Sequence, residues 1–81
     1  MPTRLYKFHC AGPEDAVIDL RGCRLPTLAQ VRAHADRVAL ALMEGRDADW
    51  TRWIVDVHDA QGRRVLVRPF TAARIGPERR A

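Results

Sequence analysis

Two histidines and an aspartate, His9, Asp56 and His58, are the residues of this 81-residue chain whose types and spacing come nearest to chemistry. Asp56 and His58 lie two apart in an alternating segment, so both project from one side of a strand, roughly 7 Å apart along it. If the strand carrying His9 runs beside that one, two imidazoles and a carboxylate approach a transition-metal ligand set or an enzymatic site. The competing reading is a solvated polar face on which Asp56 answers Arg64 and Arg68 across a hairpin. No flanking residues supply a pocket or the outer hydrogen bonds that orient metal ligands, so no metal is assigned.

The two cysteines fare no better as reactive groups. Cys10 as a nucleophile needs a base within reach, yet His9 alternates to the opposite side of its strand and His58 lies on that side too. Cys10 therefore reads as a small buried hydrophobe. Cys23 sits between Arg21 and Arg24, a setting that favours thiolate, but with no visible base beside it. Their separation of 13 residues matches no zinc-ligand pair. Glycine-rich phosphate loops, helical HxxxH pairs and paired catalytic carboxylates are absent from the sequence. No catalytic and no cofactor-binding residue is assigned.

The elements that position these residues follow from periodicity. Thr3 to Cys10 alternates, with Tyr6, Phe8 and Cys10 on the core side and Leu5, Lys7 and His9 on the other. Ala11 to Asp15 is turn chemistry, and Ala16 to Leu20 returns as a second strand. Thr27 caps a helix, with Gln30 three residues later completing a capping box. Leu28, Val31, Ala35, Val38, Ala39 and Leu42 form its apolar stripe, Arg32 and Asp36 a surface pair, and Gly45 its left-handed stop. Arg52 to His58 and Arg64 to Phe70 alternate around Asp59-Ala60-Gln61-Gly62, a type I turn ending in a glycine bulge. That turn sets Val57 against Val65, Val55 against Val67 and Trp53 against Pro69. Trp53 reads as core, and Trp50 is assigned to neither core nor surface. The expected fold is α+β in ββαββ order: a four-stranded antiparallel sheet with one helix packed on one face. Residues 1–70 form the domain, and 71–81 a flexible tail.

One helix covers one face. The same register places Ile54, Asp56, His58, Arg64, Leu66, Arg68 and Phe70 on the open face, joined by Leu5, Lys7 and His9. Leu5, Ile54, Leu66, Arg68 and Phe70 are therefore the interface candidates, and the expected partner is a second copy of the chain. The bland alternative has residues 71–81 fold over this face, with Ile75 as plug.

Composition limits the other function classes. The net charge of +4 invites a nucleic-acid reading through Arg63, Arg64, Arg68 and the basic tail. Thirteen of the 14 basic residues are arginine, while serine and asparagine are missing, a bias that a GC-rich coding sequence produces without selection for binding. Residues 71–81 hold three arginines and one glutamate, so half the excess sits in the tail. Tyr6 and Phe8 fall on the core side, which leaves the open face without stacking aromatics except Phe70. The longest apolar run, Val38 to Met43, is too short to span a membrane. No apolar leader is visible, and the expected location is the cytoplasm, with both thiols reduced.

With these residues located, the pattern resembles a family of short bacterial proteins known as a domain of unknown function. The resemblance rests on Tyr6, Phe8 and His9 in the first strand, then Gly22, Leu25 and Pro26 before an Ala- and Arg-rich helix. Trp53, Val57, Asp59, Gly62 and Arg63, ending in Pro69 and Phe70, carry the closing hairpin. The match spans roughly residues 2–70 and departs from the family pattern at Lys7, Cys23 and His58. It implies a fold and no activity. The resulting expectation is a non-enzymatic protein-interaction domain that self-associates through its open sheet face.

Overall fold

Alternating burial along Arg4–Ala11 builds β1, with Tyr6, Phe8 and Cys10 buried as the pattern predicts. The computed structural model describes residues 2–74, without the Arg74 side chain. The remaining elements are β2 (Ala16–Val17), β3 (Cys23–Leu25), α1 (Leu28–Gly45), β4 (Ile54–Asp59), β5 (Arg64–Pro69) and α2 (Phe70–Arg74). All strand pairings are antiparallel. The order is β2-β1-β4-β5, and β3 also pairs with β1. The α+β class and the helix packed on one sheet face are as expected.

The expected second strand, Ala16 to Leu20, is a strand only at Ala16–Val17, and a further strand, β3, forms at Cys23–Leu25, beyond the expected span. Ala16 and Val17 pair with Ala11 and Cys10, and Cys23 to Leu25 pair with Tyr6 to Arg4 at the other end of β1. Between them one side chain takes over the role of a strand. The Asp19 carboxylate accepts the backbone N–H of Phe8 at 2.9 Å through one oxygen, and those of Arg21 and Gly22 at 3.0 and 2.9 Å through the other. The Asp19 N–H in turn donates to His9 Nδ1 at 3.0 Å. The chain can turn tightly after Asp19 because Gly22 takes a φ of +77°.

Thr27 Oγ1 accepts the Gln30 N–H at 3.1 Å and starts α1. Val31, Ala35, Ala39 and Met43 are its buried residues, whereas Leu28 is exposed at its first turn. The helix ends at Gly45 through an extended Arg46, not through a left-handed glycine. Asp36 does not serve Arg32. It holds Arg68 of β5 by two bonds, 2.8 and 3.1 Å, tying helix to sheet edge.

The turn after β4 is as expected. Gly62 has a φ of +83°, and the Asp59 N–H donates to the Arg63 carbonyl. The register from it holds only as far as His58 opposite Arg64. Val57 then faces Leu66, leaving Val65 without an opposite residue. This second bulge shifts the rest of β5 by one, so Asp56 faces Val67 and Ile54 faces Pro69. Leu66, Arg68 and Phe70 consequently lie on the helix side. Phe70 is fully buried, opens α2 and stacks on Trp50 at 5.6 Å, while Trp50 meets Trp53 edge-on at 5.1 Å. Trp50 is thus core. The Trp53 ring lies so close to Gly12 that no Cβ fits there. Residues 71–74, expected in the flexible tail, belong to α2 with Ala73 buried, and the rest of that expected tail lies outside the described residues. The proposed Ile75 plug lies outside the described residues.

Two stability predictions follow from these ties. Partial burial alone would raise the Asp19 pKa, but the N–H bonds from Gly22, Phe8 and Arg21, with His9 nearby, hold it below the usual carboxylate value. A depressed folded pKa gives stability that is present above the unfolded value, about 3.9, and is lost as pH falls through the folded value. Asp19→Asn, which sets an NH2 group against the Phe8 N–H or the Arg21 and Gly22 pair, should cost about 1–2 kcal/mol at pH 7. Urea titrations should show that deficit shrinking below about pH 4, and a pH-independent deficit would contradict the assignment. For Arg68 and Asp36, both only about a quarter exposed, a double-alanine cycle should give a coupling of about 1 kcal/mol. Strictly additive single effects would remove the pair from the account of how β5 is held.

Candidate interaction surface

The sheet face turned away from both helices is where the sequence placed its candidate residues. β1 contributes Leu5, Lys7 and His9 to it, and β4 contributes Ile54, Asp56 and His58, because their neighbours Tyr6, Phe8, Val55 and Val57 are buried beneath the helix. The bulge replaces Leu66, Arg68 and Phe70 on this face by Val67 and Pro69. Of the five interface candidates, Leu5 and Ile54 stand on the open face, both half-buried. Leu66 packs against the core instead, Arg68 bonds Asp36, and Phe70 is interior. The physical cause is the unpaired Val65, which reverses the side to which every later β5 residue points.

His9, Asp56 and His58 do come together. The two imidazoles meet edge to face at 5.4 Å, and His58 Nε2 is 3.0 Å from Asp56. Most of their coordinating atoms are nonetheless engaged within the fold. His9 Nδ1 accepts from Asp19, and His58 Nδ1 lies 3.1 Å from the Gly62 carbonyl. Asp56 accepts two bonds from Arg64, at 2.8 and 2.9 Å. The bonds from Arg64, outweighing partial burial and aided by the charge of Arg64 and by His58, hold the Asp56 carboxyl below its ordinary pKa. Among the described residues no group of three or more His, Cys, Asp or Glu side chains is arranged to hold a metal ion.

The arginines proposed for nucleic acid are likewise engaged. Arg64 is held by Asp56 and Arg68 by Asp36, and Arg63 lies 3.7 Å from Asp59. Each of these three guanidiniums faces a carboxylate, and the basic tail lies outside the described residues. Cys10 is buried, and that burial, with the Asp19 charge, pushes its thiol up to about 11. Cys23 Sγ points to the Arg24 carbonyl at 3.9 Å. His34 lies against Phe8 at 4.6 Å, and burial, assisted by Arg37 and opposed by Asp19, lowers its pKa.

The surface that sequence reasoning missed is the margin beyond β1. Val17, Ile18 and Leu20 are 46, 60 and 84% exposed, three large aliphatic residues within four positions. Val17 and Ile18 border a cleft of about 580 Å³ whose walls include Phe8, Cys10, Val38 and Leu42. The available signal was the apolar content of Ala16 to Leu20. Its place after turn chemistry assigns it to a returning second strand, which gives no reason to expect its aliphatic side chains on the surface.

No helix among the described residues is long and apolar enough to cross a membrane. No curated protein and no solved structure matches the chain. One family model does, over residues 5–71, and it is described as a domain of unknown function, DUF6894. That match takes in β1, α1 and the whole closing hairpin, and the chain belongs to the DUF6894 family.

Proposed function

We propose that this protein is a non-enzymatic interaction domain whose partner is a second copy of itself, met through the sheet on the side and margin its helices leave uncovered. The observation that carries the reading is the distribution of exposed aliphatic side chains. Val17, Ile18 and Leu20 on the margin and Val67 on the open face remain 40–84% exposed, while most of the other large apolar residues among those described fill one core, with Leu28 and Val65 exposed elsewhere. Single exposed apolar residues are ordinary, but a run of three beside an apolar cleft is the usual mark of an interface. Small size points the same way, since a domain of this length gains disproportionately from burying more surface.

Chemistry is the weaker alternative because the polar groups that would perform it are already satisfied by one another. The ring nitrogens of His58, the carboxylate of Asp56 and the guanidiniums of Arg64 and Arg68 all have partners inside the fold. Breaking those contacts to bind phosphate or metal would have to be offset by the new ligand. The apolar margin has no such internal competitor.

Burying an exposed aliphatic side chain contributes roughly 1.5–3 kcal/mol before the cost of association, and two-fold symmetry counts each residue twice. A micromolar dimer is the expected outcome, so light scattering on the full chain at tens of micromolar should return twice the mass of one chain. A single-chain mass at that concentration contradicts the proposal.

A further inference from the structure

Which nitrogen of an imidazole carries hydrogen is fixed by the groups that face it. A backbone N–H can only donate, so the Asp19 N–H at 3.0 Å requires a lone pair on His9 Nδ1. His9 is therefore uncharged in this structure, with its hydrogen on Nε2. His58 is placed the other way. Its Nδ1 faces the Gly62 carbonyl at 3.1 Å and its Nε2 faces Asp56 at 3.0 Å, and both of those groups are acceptors. That ring keeps both bonds only with a hydrogen on each nitrogen, as the imidazolium cation. The two rings lie 5.4 Å apart, so one keeps its contacts by staying uncharged and its neighbour by being charged.

What His9 holds is the outer margin of the sheet. Between Val17 and Cys23 no residue is paired in the ladder with β1. Asp19 ties this stretch down, through its N–H to His9 and its carboxylate to the Phe8 N–H. The charged groups around His9 act in both directions. Asp56 lies opposite it on β4, and the Asp19 carboxylate interacts with it across the margin, and both favour a proton on the ring. His58 on β4 and Lys7, two positions back on the same face of β1, oppose one, and Arg64 already holds both oxygens of Asp56. A proton gained by His9 goes to Nδ1, its one nitrogen with a lone pair, and that is the atom bonded to Asp19. Donor then meets donor, and the Asp19 N–H loses its acceptor.

We infer that His9 is an acid-sensitive latch on the segment from Ile18 to Gly22: uncharged, its Nδ1 holds the Asp19 N–H against β1, and protonation at Nδ1 lets that N–H go. The segment then hangs on the Asp19 carboxylate, which stays ionised across the range, about pH 5 to 8, in which an imidazole changes charge. Ile18, Asp19 and Gly22 form one wall of the apolar cleft, so that wall loosens when the latch opens. The latch does not depend on self-association.

NMR on the full chain, titrated from about pH 8 to about pH 5, tests it. At the alkaline end the His9 ring should carry hydrogen on Nε2 alone. As pH falls, the Asp19 amide resonance should move with the same midpoint as the His9 ring, and its exchange protection, corrected for the intrinsic rate, should drop about tenfold. In His9→Asn the side-chain oxygen takes the place of Nδ1 and accepts at every pH, so the Asp19 amide should hold its position and its protection throughout. Circular dichroism should stay constant over the same range in both proteins. Hydrogen on His9 Nδ1 at the alkaline end, a His9 ring still uncharged at the acid end, or an Asp19 amide indifferent to the His9 titration overturns the latch. An Asp19 amide that still responds in a folded His9→Asn overturns it as well. So does loss of the dichroism in step with the amide, which would mean general unfolding.

Discussion

Everything on the outer side of β1 depends on one carboxylate. Asp19 occupies the gap between β2 and β3, where β1 would otherwise show bare backbone, and it accepts N–H bonds from Phe8, Arg21 and Gly22. A side chain used in this way does what a strand does for the edge, with fewer residues. It also binds the segment from Ala16 to Gly22 against the sheet, through its own N–H to His9. Because the segment is held by Asp19 and not by a full ladder, its aliphatic side chains are displayed and not swallowed. Val17, Ile18 and Leu20 stay exposed, the first two beside a cleft floored by Phe8 and Cys10.

At the opposite edge the controlling feature is the bulge at Val65. It turns Val67 and Pro69 outward and draws Leu66, Arg68 and Phe70 under the helices. Phe70 then completes an aromatic cluster with Trp50 and Trp53, and Arg68 reaches Asp36 on α1. A guanidinium on the inner side of a sheet would be costly without a partner, and the bidentate carboxylate supplies it. The two edges thus reach different ends. One is tied to the helix, charged and closed to further pairing, and the other leaves Val17, Ile18 and Leu20 exposed.

The core-facing residues of β1 and β4, the helix from its Thr27 cap, and the Asp59 to Gly62 turn were legible because each has a local cause. Alternation, a capping hydroxyl and a glycine with positive φ act over a few residues. The phase of β5 was not legible. Its sequence Arg64-Val65-Leu66-Val67-Arg68-Pro69-Phe70 offers apolar residues in both phases. The choice between them turned on Asp36, 32 residues away in sequence, accepting Arg68. For the same reason only Leu5 and Ile54 of the five interface candidates stand on the open face. The cluster of His9, Asp56 and His58 was correctly placed on one face, and the pairing of Asp56 with Arg64 across the hairpin was legible, but the bond from Asp19 to His9 is a tertiary contact that periodicity does not encode.

The amides of Ile18 and Leu20 report most directly on the proposed self-association, because they form no hydrogen bond among the described residues and lie on the margin proposed to meet a second copy. Hydrogen exchange at these two positions, followed by NMR across a range of protein concentrations, reads directly whether that margin becomes covered. Both amides should exchange freely in dilute protein and gain protection together as concentration rises through the dimer midpoint. Fast exchange at both positions in a sample that is fully dimeric would place the contact elsewhere and contradict the account.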